Sequence, residues 1–137
     1  MAKTLVFGAS RKPERYSNLA VRKLVANKID TTAFGLGGGT VSGVQIKDKL
    51  EDFQNIHTIT LYLNPNNQRE YYQKIVDMKP ERVIFNPGTE NPEFQKILRG
   101  AGIRVEEACT LVLLATGQYG GLPTPDRPEP DKGQQPV

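Results

Sequence analysis

LVFGASRKPERYSNLAVRKL (Leu5–Leu24) joins an apolar run, a turn of small and polar residues, and an amphipathic segment. The apolar run Thr4–Ala9 is short and rich in residues that favour strands, and it ends at Gly8, which predicts a buried strand. Apolar residues recur at helical spacing over Ala20–Val25, and Ser17 is of the type that caps helices, so we expect a helix capped by Ser17. A strand, a tight turn and a helix in this order are typical of an α/β sheet.

The same alternation continues along the chain. Four further segments predict strands: Ile29–Leu36, His57–Leu63, Arg82–Asn86 and Ile103–Ala108. Helical patterns begin at Pro65 and cover Asn91–Gly102. The segment Cys109–Ala115 is apolar throughout, and we expect it to be a buried helix. Gly37–Gly43 is typical of a loop. Strands alternating with helices predict an α/β domain over residues 1–120, with a parallel five-stranded sheet between two layers of helices.

The composition limits the classes of function. The 137 residues carry a net charge of +3 with acidic and basic residues intermixed, which does not favour a nucleic-acid-binding surface. One cysteine and one histidine exclude an internal disulfide framework and a metal site built from several such ligands. No apolar run has the length of a membrane span and no signal peptide is evident, so we expect a cytoplasmic protein that does not bind membranes.

The segment 121–137 differs in composition from the rest of the chain. It contains five of the ten prolines and almost no apolar side chains. Such a segment cannot bury enough apolar surface to offset the entropy that is lost on ordering. We therefore predict a disordered, proline-rich tail.

The turn after the first strand is a candidate phosphate site. Gly8, Ala9 and Ser10 are small enough for a phosphate to approach the backbone, and the start of the following helix offers N–H groups. Ser17 adds a hydroxyl group, and Arg11 adds positive charge, as do two further cations nearby. The chain lacks both G-x-G-x-x-G and G-x-x-x-x-G-K-[ST], so an ordinary tight turn stays open as the alternative.

Other strand ends carry similar residues. The second, third and fourth predicted strands end in FGLGGG (34–39), LNP (63–65) and NPGTEN (86–91). Ligands of open α/β sheets bind at the carboxyl ends of the strands, although turn chemistry alone also favours these residues. The second strand ends without the acidic residue that holds a ribose in NAD-binding folds, which disfavours NAD.

A resemblance to a known family rests on four stretches: LVFGASRKPERYSNLAVRKL, LYLNP, RVIFNPGTEN and EEACTLVLL. Together they resemble the small stand-alone CoA-binding proteins, which are similar to the CoA-binding domain of the succinyl-CoA synthetase alpha subunit and of ADP-forming acyl-CoA synthetases. The resemblance covers roughly residues 3–119. It implies a single Rossmann-like, three-layer domain that binds coenzyme A across the strand ends.

The resemblance also implies roles for individual residues. A phosphate part of CoA would be held by Gly8, Ala9, Ser10, Ser17 and Asn18. The nucleotide end would lie beside Gly35, Leu36 and Gly37, and the pantetheine arm would be lined by Leu63, Asn64, Pro65, Asn86, Pro87 and Gly88. One departure concerns the second strand, after which the family usually has a proline and often a basic residue. Here no Lys or Arg stands between Asp30 and Gln45, so one expected phosphate partner is missing.

The sequence contains no evident nucleophile–base pair. His57 is the only histidine, we expect it in a structural role at the start of a strand, and no G-x-S-x-G motif is present. We therefore predict no catalytic residues, which favours a carrier, sensor or regulatory module that binds CoA or an acyl-CoA. The alternative is an enzyme or enzyme subunit that acts on a CoA thioester or another nucleotide with catalytic residues from a partner. A homodimer or a partner subunit is compatible with both hypotheses.

Cys109 has two interpretations. It follows the fifth predicted strand and starts the last helix, and a helix N-terminus favours the thiolate. If the pantetheine arm runs there, a mixed disulfide between Cys109 and CoA is chemically feasible. A small buried side chain is the alternative, because free cysteines are usually buried.

Overall fold

The computed structural model describes residues 2–120, and the tail predicted over 121–137 lies outside them. The strands are β1 (Lys3–Phe7), β2 (Asp30–Phe34), β3 (Thr40–Val41), β4 (Val44–Lys47), β5 (Ile56–Leu61), β6 (Arg82–Phe85) and β7 (Arg104–Glu107). The helices are α1 (Tyr16–Ala26), α2 (Pro65–Gln68), α3 (Tyr72–Met78), α4 (Pro92–Gly100) and α5 (Thr110–Ala115). Within residues 2–120, none of the helices has the length and apolar character that a membrane crossing requires.

The strands form one sheet in the order β3-β4-β2-β1-β5-β6-β7, and all neighbours except β3 and β4 pair in parallel. β1 is central, because the chain passes first to β2 on one side of it and later to β5 on the other. The strand order thus reverses at β1, and an α/β sheet opens a crevice at the carboxyl ends of its strands at such a point. The predicted α/β fold is confirmed.

Apolar side chains cover both faces of the sheet. On one face, α1 and α5 pack over a cluster that includes Val6, Val21 and Ile84. On the other face, α3 and α4 pack over a larger cluster that includes Phe7 and Phe85. The layers are therefore helix, sheet and helix, as predicted, and the central strand contributes to both clusters.

The loop predicted over Gly37–Gly43 is partly wrong, because it contributes to a short hairpin that widens the sheet from five strands to seven. β3 and β4 are joined by Ser42 and Gly43, which both have positive φ (48° and 79°), as the tightest hairpin turns require. The two strands contain only two and four residues, too few for a clear alternating pattern. β4 pairs in parallel with β2, so its carboxyl end lies at the same edge as the other parallel strand ends.

Two predictions about helices are also corrected. The N-cap residue of α1 is Arg15, and Ser17 lies inside the helix, where it is buried. A turn with a hydrogen bond from Arg15 N–H to the Lys12 carbonyl oxygen (3.1 Å) starts the helix earlier than the serine signal indicated. α5 is not buried throughout, because one side packs on the sheet while Val112 is 50% exposed on the other.

The last described residues pack at the edge of the sheet where the parallel strands begin. The hydroxyl groups of Tyr119 and Thr4 share a hydrogen bond of 2.5 Å. Arg82, buried at the start of β6, donates from Nη2 to the Tyr119 carbonyl oxygen (3.0 Å) and lies over the Tyr119 ring, 4.8 Å from its centroid. Tyr119 therefore joins the first strand of the chain to the segment that follows α5.

Candidate functional site

A cleft of about 420 Å³ lies at the carboxyl ends of β1, β5 and β6, where the strand order reverses. Three segments form its walls: the first turn with the start of α1, the end of β5, and the loop after β6. The lining residues are Gly8, Ser10, Lys12, Arg15, Tyr16, Ser17, Tyr62, Asn64, Pro87, Gly88 and Thr89. This is the position at which an α/β sheet is expected to bind a ligand.

The first turn is shaped by its contacts with the end of β2. The N–H groups of Gly8 and Ala9 both donate to the carbonyl oxygen of Phe34, at 2.9 and 2.7 Å. Gly35 lies so close that a Cβ there would be 2.2 Å from the carbonyl oxygen of Ala9. Gly8 has a φ of +99°, and a Cβ on it would be 3.0 Å from Leu63 Cδ2. At both positions, contacts within the protein itself are therefore enough to require glycine, whether or not a ligand binds.

The N-terminus of α1 and the turn before it contain hydrogen-bond donors that have no partner among the described residues. The side chain of Arg15, the N-cap residue, forms no capping bond, and the first turn contains no acidic residue. The backbone N–H groups of Ser10, Tyr16 and Ser17 donate to no partner within residues 2–120. Lys12 and Arg15 line the cleft beside them. Free N–H groups, the helix dipole and two cations together favour an anion at this point.

Asn18 holds the first turn in place. Its side chain is 3% exposed, and its Nδ2 donates to the Ser10 carbonyl oxygen at 2.9 Å. Its Oδ1 accepts from Arg22 Nε at 2.8 Å, and the Arg22 guanidinium also donates to the Pro13 carbonyl oxygen at 3.1 Å. Asn18 therefore fixes the backbone that presents Ser10 to the cleft.

The opposite wall begins at the end of β5. Asn64 caps α2 by accepting a hydrogen bond from a backbone N–H of its first turn at 3.1 Å, and Pro65 is the first residue of that helix. Gln68 is fully buried and donates to the carbonyl oxygens of Leu63 (2.9 Å) and Thr89 (2.8 Å). It joins the loop after β5 to the loop after β6 through a buried side chain.

Asn86 lies buried beside the cleft and holds the adjoining strand ends together. Its side chain is 2% exposed and donates to Thr60 Oγ1 (2.7 Å) and to the Leu61 carbonyl oxygen (2.8 Å). Its Oδ1 accepts from the Thr110 N–H at 2.8 Å, which satisfies a donor at the start of α5. The amide is used within the protein, and it fixes the ends of β5 and β6 and the start of α5 relative to one another.

Tyr62 and Cys109 lie close together at this edge. The Tyr62 hydroxyl is buried near Thr60 and Thr110 without the geometry of a hydrogen bond to any described residue. Burial raises the pKa of Tyr62 to about 12, so the phenol is protonated at neutral pH. Cys109 is the N-cap residue of α5, is partly exposed, and is absent from the residues that line the cleft.

A second groove of about 440 Å³ adjoins the first turn at the ends of β2 and β4. We define the second groove by Leu36, Gly37, Gly38, Lys47 and Lys49. Leu36 is 77% exposed there. Two of the three nucleotide-end residues implied by the resemblance, Leu36 and Gly37, thus lie outside the cleft, in a groove beside it.

The structure brings half of the predicted site residues into these two sites. In the cleft lie Gly8, Ser10, Ser17, Asn64, Pro87 and Gly88, and in the second groove lie Leu36 and Gly37. Around them, without lining either, are Ala9, Arg11, Asn18, Gly35, Leu63, Pro65, Asn86 and Cys109. Five further residues line the cleft: Lys12 and Arg15, which are the two further cations noted near the first turn, and Tyr16, Tyr62 and Thr89, which were not among the predicted site residues. Most of them stand in the quoted motifs RKPERY and NPGTEN, whereas Tyr62 had no signal beyond its place after a strand.

The chain is similar to a known protein family and to several solved structures. A family model described as a CoA binding domain matches residues 2–115. A crystal structure of an uncharacterized protein is 41% identical, with a TM-score of 0.83 over 87% of this chain and 98% of that one. A structure from Thermus thermophilus is 21% identical (TM-score 0.76, 86% and 90% coverage), and a hypothetical protein from Pyrococcus horikoshii OT3 is 24% identical (TM-score 0.73, 80% and 78%). The last two show the fold alone, and no curated protein matches.

Proposed function

This chain belongs to the CoA-binding domain family, and on that premise we propose that it binds coenzyme A or an acyl-CoA at the carboxyl ends of the strands. The observation that carries the proposal is the uncapped start of α1 with the turn before it. There, the N–H groups of Ser17 and Ser10 have no partner within residues 2–120 and lie beside Lys12 and Arg15. These donors and cations fit the pyrophosphate of CoA. Ser17 adds a hydroxyl at the same place.

The rest of the cleft fits the uncharged arm of the ligand. Pantetheine is a chain of methylene groups interrupted by two amides, so it needs apolar contacts with a few hydrogen-bonding groups between them. The cleft continues from the helix start past the ring of Tyr62 to Asn64, Pro87 and Thr89, which offer this mixture. We infer that the arm runs from the first turn towards the loop after β6.

Calorimetric titration with CoA tests the proposal. Lys12→Gln and Arg15→Gln should each weaken CoA binding by about tenfold, because each removes a charge-assisted contact to phosphate. Lys23→Gln, on the last turn of the same helix, is the matched control and should bind as the unmodified protein does. Absence of binding at millimolar CoA, or equal affinities of all variants, would contradict the proposal.

A substitution at Gly8 is a poor test of binding. The positive φ of Gly8 and the 3.0 Å approach to Leu63 Cδ2 mean that Gly8→Val strains the backbone and the packing of the protein itself. Loss of CoA binding by that variant would not separate a contact from a folding defect. Lys12 and Arg15 are exposed, so their replacement leaves the packed core unchanged.

We further propose that the protein binds CoA without transforming it. The titratable side chains that line the cleft are Lys12, Arg15, Tyr16 and Tyr62, and the high pKa of Tyr62 makes it a hydrogen-bond donor and not a base at neutral pH. Incubation with acetyl-CoA followed by mass spectrometry checks this point. We expect the intact thioester to be recovered, whereas hydrolysis or an acyl adduct on the protein would indicate an enzyme.

A further inference from the structure

β7 leaves one edge of the sheet open. It is the last strand in the order and pairs only with β6 among the described strands. The N–H groups of Arg104 and Ala108 donate towards β6, to the carbonyl oxygens of Glu81 (3.1 Å) and Phe85 (3.2 Å). Because alternate residues of a strand direct their backbone groups to opposite sides, the N–H and C=O groups of Val105 point away from the sheet. In the part of the chain that the structure describes, no group bonds to them.

The open edge also has an ordered pattern of charge. The side chains of Arg104 and Glu106 lie on the same face of the sheet, with Arg104 Nε 3.5 Å from Glu106 Oε1, and they are 38% and 31% exposed. Val105 points to the opposite face, where it packs against the cluster that includes Phe85. An edge strand with unpaired backbone groups is a template for another strand. Here that template has a basic and an acidic residue two positions apart.

A second copy of β7 fits this edge in the antiparallel direction. Two identical edges pair around a two-fold axis, which must be perpendicular to the sheet to bring the edges side by side. Such an axis keeps the faces of the two sheets aligned, so only residues that point to the same face can stand opposite each other. Near the centre of the strand, three registers meet this condition, with Arg104, Val105 or Glu106 opposite its own copy.

The charges select one of the three registers. The first places two arginines opposite each other and the third places two glutamates opposite each other, and like charges at such positions destabilise a sheet. With Val105 on the axis, each Arg104 is opposite the Glu106 of the second copy, so four charges of alternating sign form a square. In the same register, the outward N–H of each Val105 donates to the carbonyl oxygen of the other, which gives two hydrogen bonds.

We propose that the protein self-associates through the outer edge of β7, with Val105 of both copies on the two-fold axis and Arg104 paired with Glu106 across it. The inference is independent of the proposed function, because β7 contributes no residue to the cleft or to the second groove. An edge of four residues buries less area than a permanent dimer requires. The dimer therefore dissociates on dilution.

Sedimentation equilibrium over a range of protein concentrations tests the association. Arg104→Glu should weaken it by about tenfold or more, because it places like charges opposite each other at two symmetric positions. Lys74→Glu, on an exposed face of α3, reverses a charge elsewhere and should associate as the unmodified protein does. A monomer at every concentration, or equal association of both variants, would overturn the proposal. Melting curves verify that both variants are folded.

Cysteine crosslinking tests the register without a weakened variant. In a chain that carries Cys109→Ser, Val105→Cys should give a disulfide-linked dimer on oxidation, because opposite residues of a hydrogen-bonded antiparallel pair have Cα atoms about 5.5 Å apart. Glu107→Cys in the same chain is the control, since its two copies would be four residues apart, about 14 Å along the strands. No crosslink at position 105, or an equal one at position 107, would overturn the register.

Residues 121–137 of the same chain are the alternative occupant of this edge, and truncation distinguishes them from a second copy. We expect the chain that ends at Gly121 to associate as strongly as the full chain in the same sedimentation experiment. If the truncated chain dimerises and the full chain stays monomeric, the tail occupies the edge and the proposal is overturned.

Discussion

Gly35 determines how closely the first two βα turns approach each other. A Cβ at this position would lie 2.2 Å from the Ala9 carbonyl oxygen, which is backbone and cannot rotate away. We expect Gly35→Ala to lower the free energy of unfolding by about 1–3 kcal/mol, because it forces the two turns apart. Urea denaturation measures this loss.

Gly37→Ala is the matched control for that substitution. No atom lies within 4 Å of a Cβ built on Gly37, and its φ is not positive, so its stability should change by less than about 0.5 kcal/mol. Equal effects of the two substitutions would mean that the close approach at Gly35 does not limit the packing of the turns.

His57 gives the protein a defined response to acid. Its Nδ1 lies 2.7 Å from Thr58 Oγ1, and that hydroxyl already accepts from Arg82 Nε at 3.1 Å. The donor in this contact depends on the tautomer of the imidazole, because a hydroxyl oxygen can accept two hydrogen bonds. Burial lowers the pKa of His57 below its usual 6.5, partly opposed by Glu81 and reinforced to a smaller extent by Arg82.

The sign of the pH dependence follows from that lowered pKa. The folded protein binds fewer protons at His57 than the unfolded chain does, so stability falls as the pH drops below 6.5. We expect the urea midpoint to decrease from about pH 7.5 to about pH 5.5, above the range in which carboxylates titrate, and to decrease less in His57→Asn. Because the sequence has one histidine, an unchanged slope in the variant would exclude His57 as the cause.

Two helices begin with the same Asn-Pro pair but depend on it to different extents. Asn64 starts α2 with one capping hydrogen bond, and Asn91 starts α4 with another. The side chain of Asn91 is also buried, and it donates to Gln68 Oε1 (2.9 Å) and to the Tyr72 hydroxyl (2.8 Å).

Replacement of the two asparagines should therefore lower stability to different extents. Asn64→Ala should cost about 1 kcal/mol, the usual value of a cap. Asn91→Ala should cost about 2–3 kcal/mol, because it also removes the buried partner of Gln68. Chemical denaturation of the two variants compares them directly, and equal losses would show that the interior contacts of Asn91 add nothing beyond the cap.

Local signals in the sequence predict the elements of this fold well where the elements are long or strongly apolar. Leu5, Val6 and Phe7 are fully buried, and the Asn91 cap of α4 is where the pattern places it. The pattern misplaced the start of α1 at Ser17, because the helix is started by the turn at Lys12–Arg15 and not by a capping side chain.

The same local signals could not predict the parts of the site that are formed by segments distant in the sequence. Lys47 and Lys49 become neighbours of Leu36 only because β4 pairs with β2. Gln68 reads in the sequence as one polar residue among several, yet it is fully buried and joins two loops. Such roles depend on contacts between distant segments, which neither periodicity nor turn chemistry encodes.

Tyr119 defines how much of the chain the domain needs. A chain that ends at Gly121 keeps Tyr119 with its contacts to Thr4 and Arg82, and its melting temperature should equal that of the full chain. A chain that ends at Gln118 loses a buried aromatic ring and leaves the buried Arg82 without one acceptor. We expect its melting temperature to fall by about 10 °C or more.

Scanning calorimetry of the two truncated chains measures both values. A fall of several degrees already for the chain that ends at Gly121 would mean that residues beyond it stabilise the domain. No fall for the chain that ends at Gln118 would mean that the contacts of Tyr119 are dispensable.

The central position of β1 has a consequence for biosynthesis. β1 emerges from the ribosome first, yet its neighbours arrive later: β2 starts at residue 30 and β5 at residue 56. At about 5–20 residues per second, the edge of β1 that awaits β5 stays unpaired for several seconds. Leu5, Val6 and Phe7, which are fully buried at the end of folding, lack the packing of the β5 side of the sheet during this interval. The nascent chain therefore presents an apolar strand with an open edge, the kind of segment that molecular chaperones shield from aggregation.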